Sequence, residues 1–264
     1  MKKFKNISFH PQLATILDVF FGLVVAWWIP RVPSGWFLLV WFLIRLIWWA
    51  FLVRMVYYSP GLKRINHWIS LFIFHCGVTS WLLFIDWMWS WYLVLFLIVV
   101  LPALSFLLLP VVKTDLSFVG KPHRRFRLLL CMLGLAGIWS GVGALVVYNI
   151  YAVSSWVWIV SAAILTAFLG VFWWRQYEIE FKPNLWLWTL GGLVLVGQFA
   201  FVELMLPTGY LVNGFLMVWL WYIYWLVGRF QLSEEGINWK KQAWFLGMNA
   251  AGFALILLLV VKWK

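Results

Sequence analysis

Residues 91–112 read Trp91-Tyr92-Leu93-Val94-Leu95-Phe96-Leu97-Ile98-Val99-Val100-Leu101-Pro102-Ala103-Leu104-Ser105-Phe106-Leu107-Leu108-Leu109-Pro110-Val111-Val112, with no charged residue among them. A helix that crosses a bilayer core needs about 20 predominantly apolar residues. The run is continuously apolar rather than alternating, which excludes the wall of a β-barrel. At membrane depth there is no water to satisfy the backbone, so the segment has to be a helix.

The same reading applies on both sides of this run. It predicts further spans at 12–29, 35–53, 67–85, 128–148, 155–174, 185–206, 211–228 and 243–261. The connections are short and carry turn residues, as in Pro30-Arg31-Val32-Pro33-Ser34-Gly35, Ser59-Pro60-Gly61 and Pro207-Thr208-Gly209. The expected fold class is all-α: a polytopic membrane helical bundle of about nine transmembrane helices. Residues 1–264 form a single transmembrane domain, with no length left for a soluble one. Composition agrees, since 66% of the 264 residues are hydrophobic and only 11% are charged. Soluble domains carry about 25% charged residues, so a water-soluble fold is excluded. Disordered and disulfide-stapled classes are excluded with it.

Basic residues orient the chain. Sixteen of the 20 Lys and Arg fall on one side: Lys2, Lys3 and Lys5; Arg54, Lys63 and Arg64; Lys113, Lys121, Arg124, Arg125 and Arg127; Arg175 and Lys182; Arg229, Lys240 and Lys241. The other side has Arg31, Lys262 and Lys264, while Arg45 lies inside a span. By the positive-inside rule the N-terminus is cytoplasmic and nine spans leave the C-terminus outside. A last helix that does not cross, leaving Lys262-Trp263-Lys264 inside, is the competing topology. The first span reads as an uncleaved signal anchor, because its apolar run is long and no small-x-small site follows Ala26-Trp27-Trp28-Ile29-Pro30. The compact loops suit a prokaryotic plasma membrane. The net charge of +12 is thus a matter of topology rather than a nucleic-acid footprint. The sequon Asn6-Ile7-Ser8 falls on the cytoplasmic side. The loop Lys121-Pro122-His123-Arg124-Arg125-Phe126-Arg127 places Lys121, Arg124, Arg125 and Arg127 beside the membrane surface. Besides setting topology, such groups attract anionic lipid at about 1 kcal/mol each.

Four ionisable groups fall within spans: Asp18, Arg45, His75 and Glu203. Groups at that depth are costly and by default functional. Asp18 and Arg45 are each 13.5 residues from the middle of the first hairpin turn, hence at equal depth, roughly 20 Å from it. An ion pair follows, serving either structure or a proton or ion path. His75 is level with Pro102, whose ring frees the carbonyl of Ile98. A neutral His75 is expected to donate to that carbonyl; a proton-relay histidine is the other reading. Glu203 lies near the outer boundary, with Gln198 deeper on the same helix and Asn213 nearly level across the turn. Glu203 either gates an outward-facing cavity or reaches water.

Most of the 24 tryptophans form interfacial belts. Trp27, Trp28, Trp36, Trp87, Trp89, Trp91, Trp156 and Trp158 make the outer belt. Trp48, Trp49, Trp68, Trp173, Trp174, Trp186, Trp188, Trp239 and Trp244 make the inner one. The run Trp219-Leu220-Trp221-Tyr222-Ile223-Tyr224-Trp225 exceeds what a belt needs; it serves either packing or a flat or lipid-like ligand. Span five carries Gly137 and Gly141 as GxxxG and Ala136, Ser140 and Ala144 as a second small row. Span six answers with Ala162, Ala163, Thr166, Ala167 and Gly170, which predicts a tight hairpin between the two.

No enzymatic signature is present: no HExxH, no paired intramembrane haem histidines, no phosphate-binding glycine loop. Cys76 and Cys131 both lie in spans and show no metal spacing. No cofactor, metal or nucleic acid is expected. The sequence thus points to a non-enzymatic membrane protein that transports or binds a small solute, ion or lipid. Asp18, Arg45, His75, Gln198, Glu203 and Asn213 are its candidate polar pathway. The alternative is an accessory or scaffold subunit, assembled with a membrane partner or with copies of itself; a lipid-modifying enzyme ranks third. The topology has a direct test in single cysteines placed at Ser59, Ser90 and Gly236. Only the one at position 90 should label with an impermeant thiol reagent in intact cells. Labelling of position 236 from outside would overturn the map.

Overall fold

The computed structural model describes residues 10–31, 35–57, 62–85, 87–109, 120–148, 154–180, 183–206, 208–233 and 236–260. Lys2, Lys3, Lys5, the sequon, Ser59, Lys113 and the final Lys262-Trp263-Lys264 lie outside them. The described residues are all-α. The helices are α1 (Pro11–Trp28), α2 (Gly35–Val56), α3 (Leu62–Phe84), α4 (Met88–Leu107), α5 (Lys121–Tyr148), α6 (Ser155–Gln176), α7 (Pro183–Met205), α8 (Tyr210–Leu232) and α9 (Trp239–Val260). Each is long and apolar enough to cross a membrane, which makes this a multi-pass membrane protein in contact with lipid.

Two helices begin well before their expected starts. α3 starts at Leu62 rather than 67, and α5 at Lys121 rather than 128. The basic stretch 121–127 is therefore no loop but the first two turns of α5. Pro122 permits this, since a proline in the first helical turn lacks only an N–H that would have no partner there.

The chain divides into two compact units, Met1–Gly134 and Leu135–Lys264. In the first, α1 packs on α4, α2 on α3, and α3 on α4. The buried stripe of α1 is Ala14, Asp18 and Gly22, at the i, i+4 spacing of one helix face. Gly22 lets α4 come close: a Cβ there would lie 3.3 Å from the Cα of Val99. α3 meets the first half of α5 through Gly77 and Gly134. A Cβ on Gly77 would lie 2.6 Å from the Cα of Gly134, and one on Gly134 would lie 2.7 Å from the amide nitrogen of Phe74.

In the second unit α6 packs on α7 and α7 on α8. The expectation that the row Ala136, Ser140 and Ala144 of α5 faces α6 needs correction at its first two members. Ala136 and Ser140 are met by Gly214 of α8, where a Cβ would stand 2.5 Å from the carbonyl oxygen of Ala136. What reaches α6 from α5 is Trp139, whose indole N–H donates to Thr166 Oγ1 at 3.0 Å. α9 adjoins α8 around one side chain: Trp219 Nε1 donates to Asn249 Oδ1 at 2.7 Å and its ring meets Phe253. No residue of Gln242–Leu259 is buried.

The tryptophans assigned to the belts divide by exposure. Trp27, Trp28, Trp36, Trp87, Trp89 and Trp156 are exposed, as are Trp186, Trp239 and Trp244. Trp49, Trp173 and Trp174 are core residues instead, because each indole points into its own unit rather than along the helix to the headgroups. Trp221 and Trp225 of α8 are buried as well, and the space beside them is about 10 Å³, no more than one water fills. Packing accounts for that aromatic run.

The α3–α5 crossing makes a stability prediction. Gly134→Ala forces two backbones apart and should cost about 1–3 kcal/mol, the usual overpacking penalty. Gly197→Ala, with open space around it, should be neutral or gain up to about 1 kcal/mol of helix propensity. Thermal melts in detergent should therefore fall for the first and hold or rise for the second.

Candidate functional site

The site begins with two helix faces of the first unit. α1 presents Asp18 midway along its buried stripe. α2 presents Trp41, Arg45 and Trp49, one turn apart and all buried. Asp18 and Arg45 meet as their equal depth predicts. Arg45 Nη2 lies 3.2 Å from each carboxylate oxygen, and both side chains are 0% exposed. Asp18 Oδ1 accepts two more hydrogen bonds, from Trp49 Nε1 at 2.9 Å and Trp48 Nε1 at 3.2 Å. The guanidinium carbon stands 4.6 Å from the Trp49 ring centre and 5.1 Å from that of Phe21, which itself stacks on Trp48. Flat aromatic faces attract such a cation.

The carboxylate is fully engaged; the guanidinium is not. Arg45 Nε and Nη1 are buried without a hydrogen-bond partner among the described residues. His75 of α3 meets the same Trp49 ring as the guanidinium. Its ring stacks on Phe42 at 4.6 Å and meets Trp41 and Trp49 edge-on. His75 Nε2 sits 3.3 Å from the carbonyl oxygen of Phe42. The expected partner, the carbonyl of Ile98, is thereby corrected: stacking on Phe42 turns the ring toward α2 rather than α4. Because Nε2 carries the proton in that bond, the neutral ring keeps a lone pair on Nδ1. Among the described residues His75 Nδ1 has no hydrogen-bond partner, and neither has Trp41 Nε1.

A second buried polar cluster of this unit escaped the sequence reading. His67 of α3, Ser105 of α4, and His123 and Arg127 of α5 are all buried. Ser105 Oγ donates to the carbonyl of Pro102 at 2.6 Å and so accepts from His67 Nε2 at 2.9 Å. The His67 ring lies edge-on to His123 at 5.1 Å. His67 stands at the mouth of a span and His123 in a presumed loop, so only the early start of α5 makes them neighbours. Pro122, read as a first-turn residue, was the one available signal.

The remaining expected residues fall apart. Lys121 and Arg124 are half-buried, Arg125 is exposed and Arg127 is buried. Arg127 therefore does not join Arg125 at the lipid surface. Gln198 is exposed on α7 and is not among the residues that line the cavity holding Asn213. The side chain of Glu203 lies outside what the structure describes. Asn213 lines a cavity in the second unit, and the Thr208 hydroxyl donates to its Oδ1. Of the six pathway candidates, Asp18, Arg45 and His75 converge.

Arg45 and His75 both meet the Trp49 ring and Trp41 meets His75, so donors on Arg45 and Trp41 and an acceptor on His75 belong to one buried cluster. The arrangement suits a small molecule with an oxygen that accepts from the guanidinium and an O–H or N–H that donates to the imidazole. Asp18 already balances Arg45, so an added anion would leave uncompensated charge in the interior, and an added cation would face the guanidinium. Among the described residues no group of three or more His, Cys, Asp and Glu is placed to hold a metal ion. No protein family, curated protein or solved structure matches this chain.

The ion pair is testable by a double-mutant cycle. Asp18→Asn strands Arg45, and Arg45→Gln strands Asp18. Removing one partner of a buried pair costs about 3–5 kcal/mol in soluble proteins, and snorkelling and water defects lower that in a membrane. The double variant should lose less than the sum of the singles, and the swap Asp18→Arg with Arg45→Asp should recover part of the loss. Strictly additive losses in thermal melts would show that the charges do not sustain one another.

Proposed function

We propose that this chain is a multi-pass membrane protein that binds a small uncharged polar solute at Arg45 and His75 and passes it across the bilayer. One observation carries the reading. Among the described residues a wholly buried guanidinium has two of its three nitrogens without a hydrogen-bond partner, and so has one nitrogen of the His75 ring, which meets the same Trp49 indole. An unsatisfied buried donor costs about 1–3 kcal/mol. A site that needed Arg45 only as counter-ion to Asp18 would not leave those donors open. In this reading the N-terminus is cytoplasmic, as the distribution of Lys and Arg supports, and the membrane is a prokaryotic plasma membrane, as the compact loops suit. Arg125, exposed near the start of α5, faces anionic headgroups with Lys121 and Arg124 beside it.

The accessory-subunit reading has its own support in α9, which buries no residue of Gln242–Leu259 and so has apolar surface to spare for a partner. One experiment separates the two. Protein reconstituted into vesicles is mixed with osmotic gradients of water, urea or glycerol, and light scattering follows the volume change. Solute passage predicts at least one rate above that of protein-free vesicles, and its loss in the folded double variant Asp18→Asn with Arg45→Gln. Rates equal to those of protein-free vesicles for all three would refute passage and favour the subunit reading.

A further inference from the structure

The second unit contains a cavity of about 150 Å³, separate in its residues from the Arg45 site. Its floor is apolar. Trp139 and Val142 of α5, Ile159 of α6 and Ala200 of α7 line it, and all four are buried. The one polar atom that Trp139 has is already committed, since its N–H donates to Thr166 Oγ1 and that hydroxyl donates to the carbonyl of Ala162. The rim is more polar and more exposed, and Asn213 Oδ1 there accepts from Thr208. Val147, 64% exposed, and the half-buried Tyr210 and Asn213 line it. None of the lining residues is ionisable as an acid or base near neutral pH.

Size and lining define a ligand. An apolar cavity of about 150 Å³ is the volume that takes up benzene in a soluble protein. Two polar side chains at one end fix orientation, which is the usual division of labour in small-molecule sites. We infer that this cavity is a binding site for a neutral amphipath of about the size of phenol, its ring on the floor formed by Trp139, Ile159 and Ala200 and its hydroxyl at Asn213 and Tyr210. A charged ligand is disfavoured because nothing in the lining would compensate it. The site draws on no residue of the solute site in the first unit, so either can fail without the other.

The probe is an alkanol bearing a diazirine, photolysed with the intact protein in lipid nanodiscs, with adducts mapped by peptide mass spectrometry. Adducts should fall on Val142, Val147 and Ile159, saturate with dose, and be suppressed by excess phenol. Ala200→Phe fills the floor and should lower labelling by about tenfold, corresponding to about 1.4 kcal/mol of lost affinity. Ile159→Ala enlarges the floor instead. In wild type, phenol should protect better than 2-naphthol, and in Ile159→Ala the order should reverse. This second variant keeps the inference testable if the first does not fold. Labelling that rises linearly with dose and resists phenol would mean that lipid chains or no defined ligand enter the cavity, and would overturn the inference. An unchanged phenol preference in folded Ile159→Ala would overturn it as well.

Discussion

Two opposite charges held in the interior of the first unit dictate much of its packing. An isolated carboxylate or guanidinium at that depth is expensive, so α1 and α2 must bring Asp18 and Arg45 together or neither helix is tolerable there. The pair then recruits its neighbours. Asp18 Oδ1 takes the indole protons of Trp48 and Trp49, which holds Trp49 in the core and away from the headgroups its sequence position suggests. α1 carries Asp18 on the same stripe as Gly22, so the helix that supplies the carboxylate also lies against α4 at Val99. The charge contact and the close backbone approach thus constrain α1 from two sides. What the pair does not do is saturate Arg45. The carboxylate has three donors, whereas the guanidinium has one acceptor residue, and this imbalance is the chemical feature on which a solute site rests.

The number and positions of the helices were legible because a membrane span announces itself by apolar length alone, without any need to know which face is buried. The ion pair was legible for a related reason: depth is a count of residues from a turn, and Asp18 and Arg45 count equally. Rotation about the helix axis is what such counting cannot supply. His75 has the depth of Pro102 but turns toward Phe42, and Trp49, Trp173 and Trp174 have the depth of a belt but point inward. Residues 121–127 show the same limit in another form. Read as a loop, all four cations face the lipid headgroups. Read as helix, at about 100° per residue, His123 and Arg127 share one face and Arg125 lies on the opposite one. The burial of the first two and the exposure of the third follow from that geometry.

Among its described residues the second unit buries hydroxyls and indoles rather than charge. Its buried hydroxyls on Ser140 and Thr166 each donate to a carbonyl one turn back, and Trp174 donates to the carbonyl of Trp225 at 3.0 Å. Close approach is managed by glycine. At Gly214 a side chain would strike Ser140, and at Gly228 a Cβ would come 2.7 Å from the Trp174 ring. Packing of this kind has no long-range electrostatic register, so its fit depends on shape alone, and a mismatch in shape leaves a void.

The cavity at Trp139 is such a mismatch, and its cost shows why an occupant is the better account. At about 24 cal/mol per Å³, a figure from enclosed cavities in a soluble protein, about 150 Å³ of empty space would cost at most on the order of 3–4 kcal/mol, an upper bound because the cavity opens at its rim, where Val147 is 64% exposed. A protein with a few kcal/mol to spare does not carry that lightly. One larger side chain at Ala200 would remove most of the void, since the residue is buried and faces it. Filling from Gly143 is less open, because a Cβ there already lies 3.0 Å from the Cβ of Tyr210. A simple remedy therefore exists at one wall position and the chain does not use it. An uncharged guest resting on the Trp139 floor restores the missing contacts without altering the helix crossings, and a small residue at position 200 is what leaves room for it.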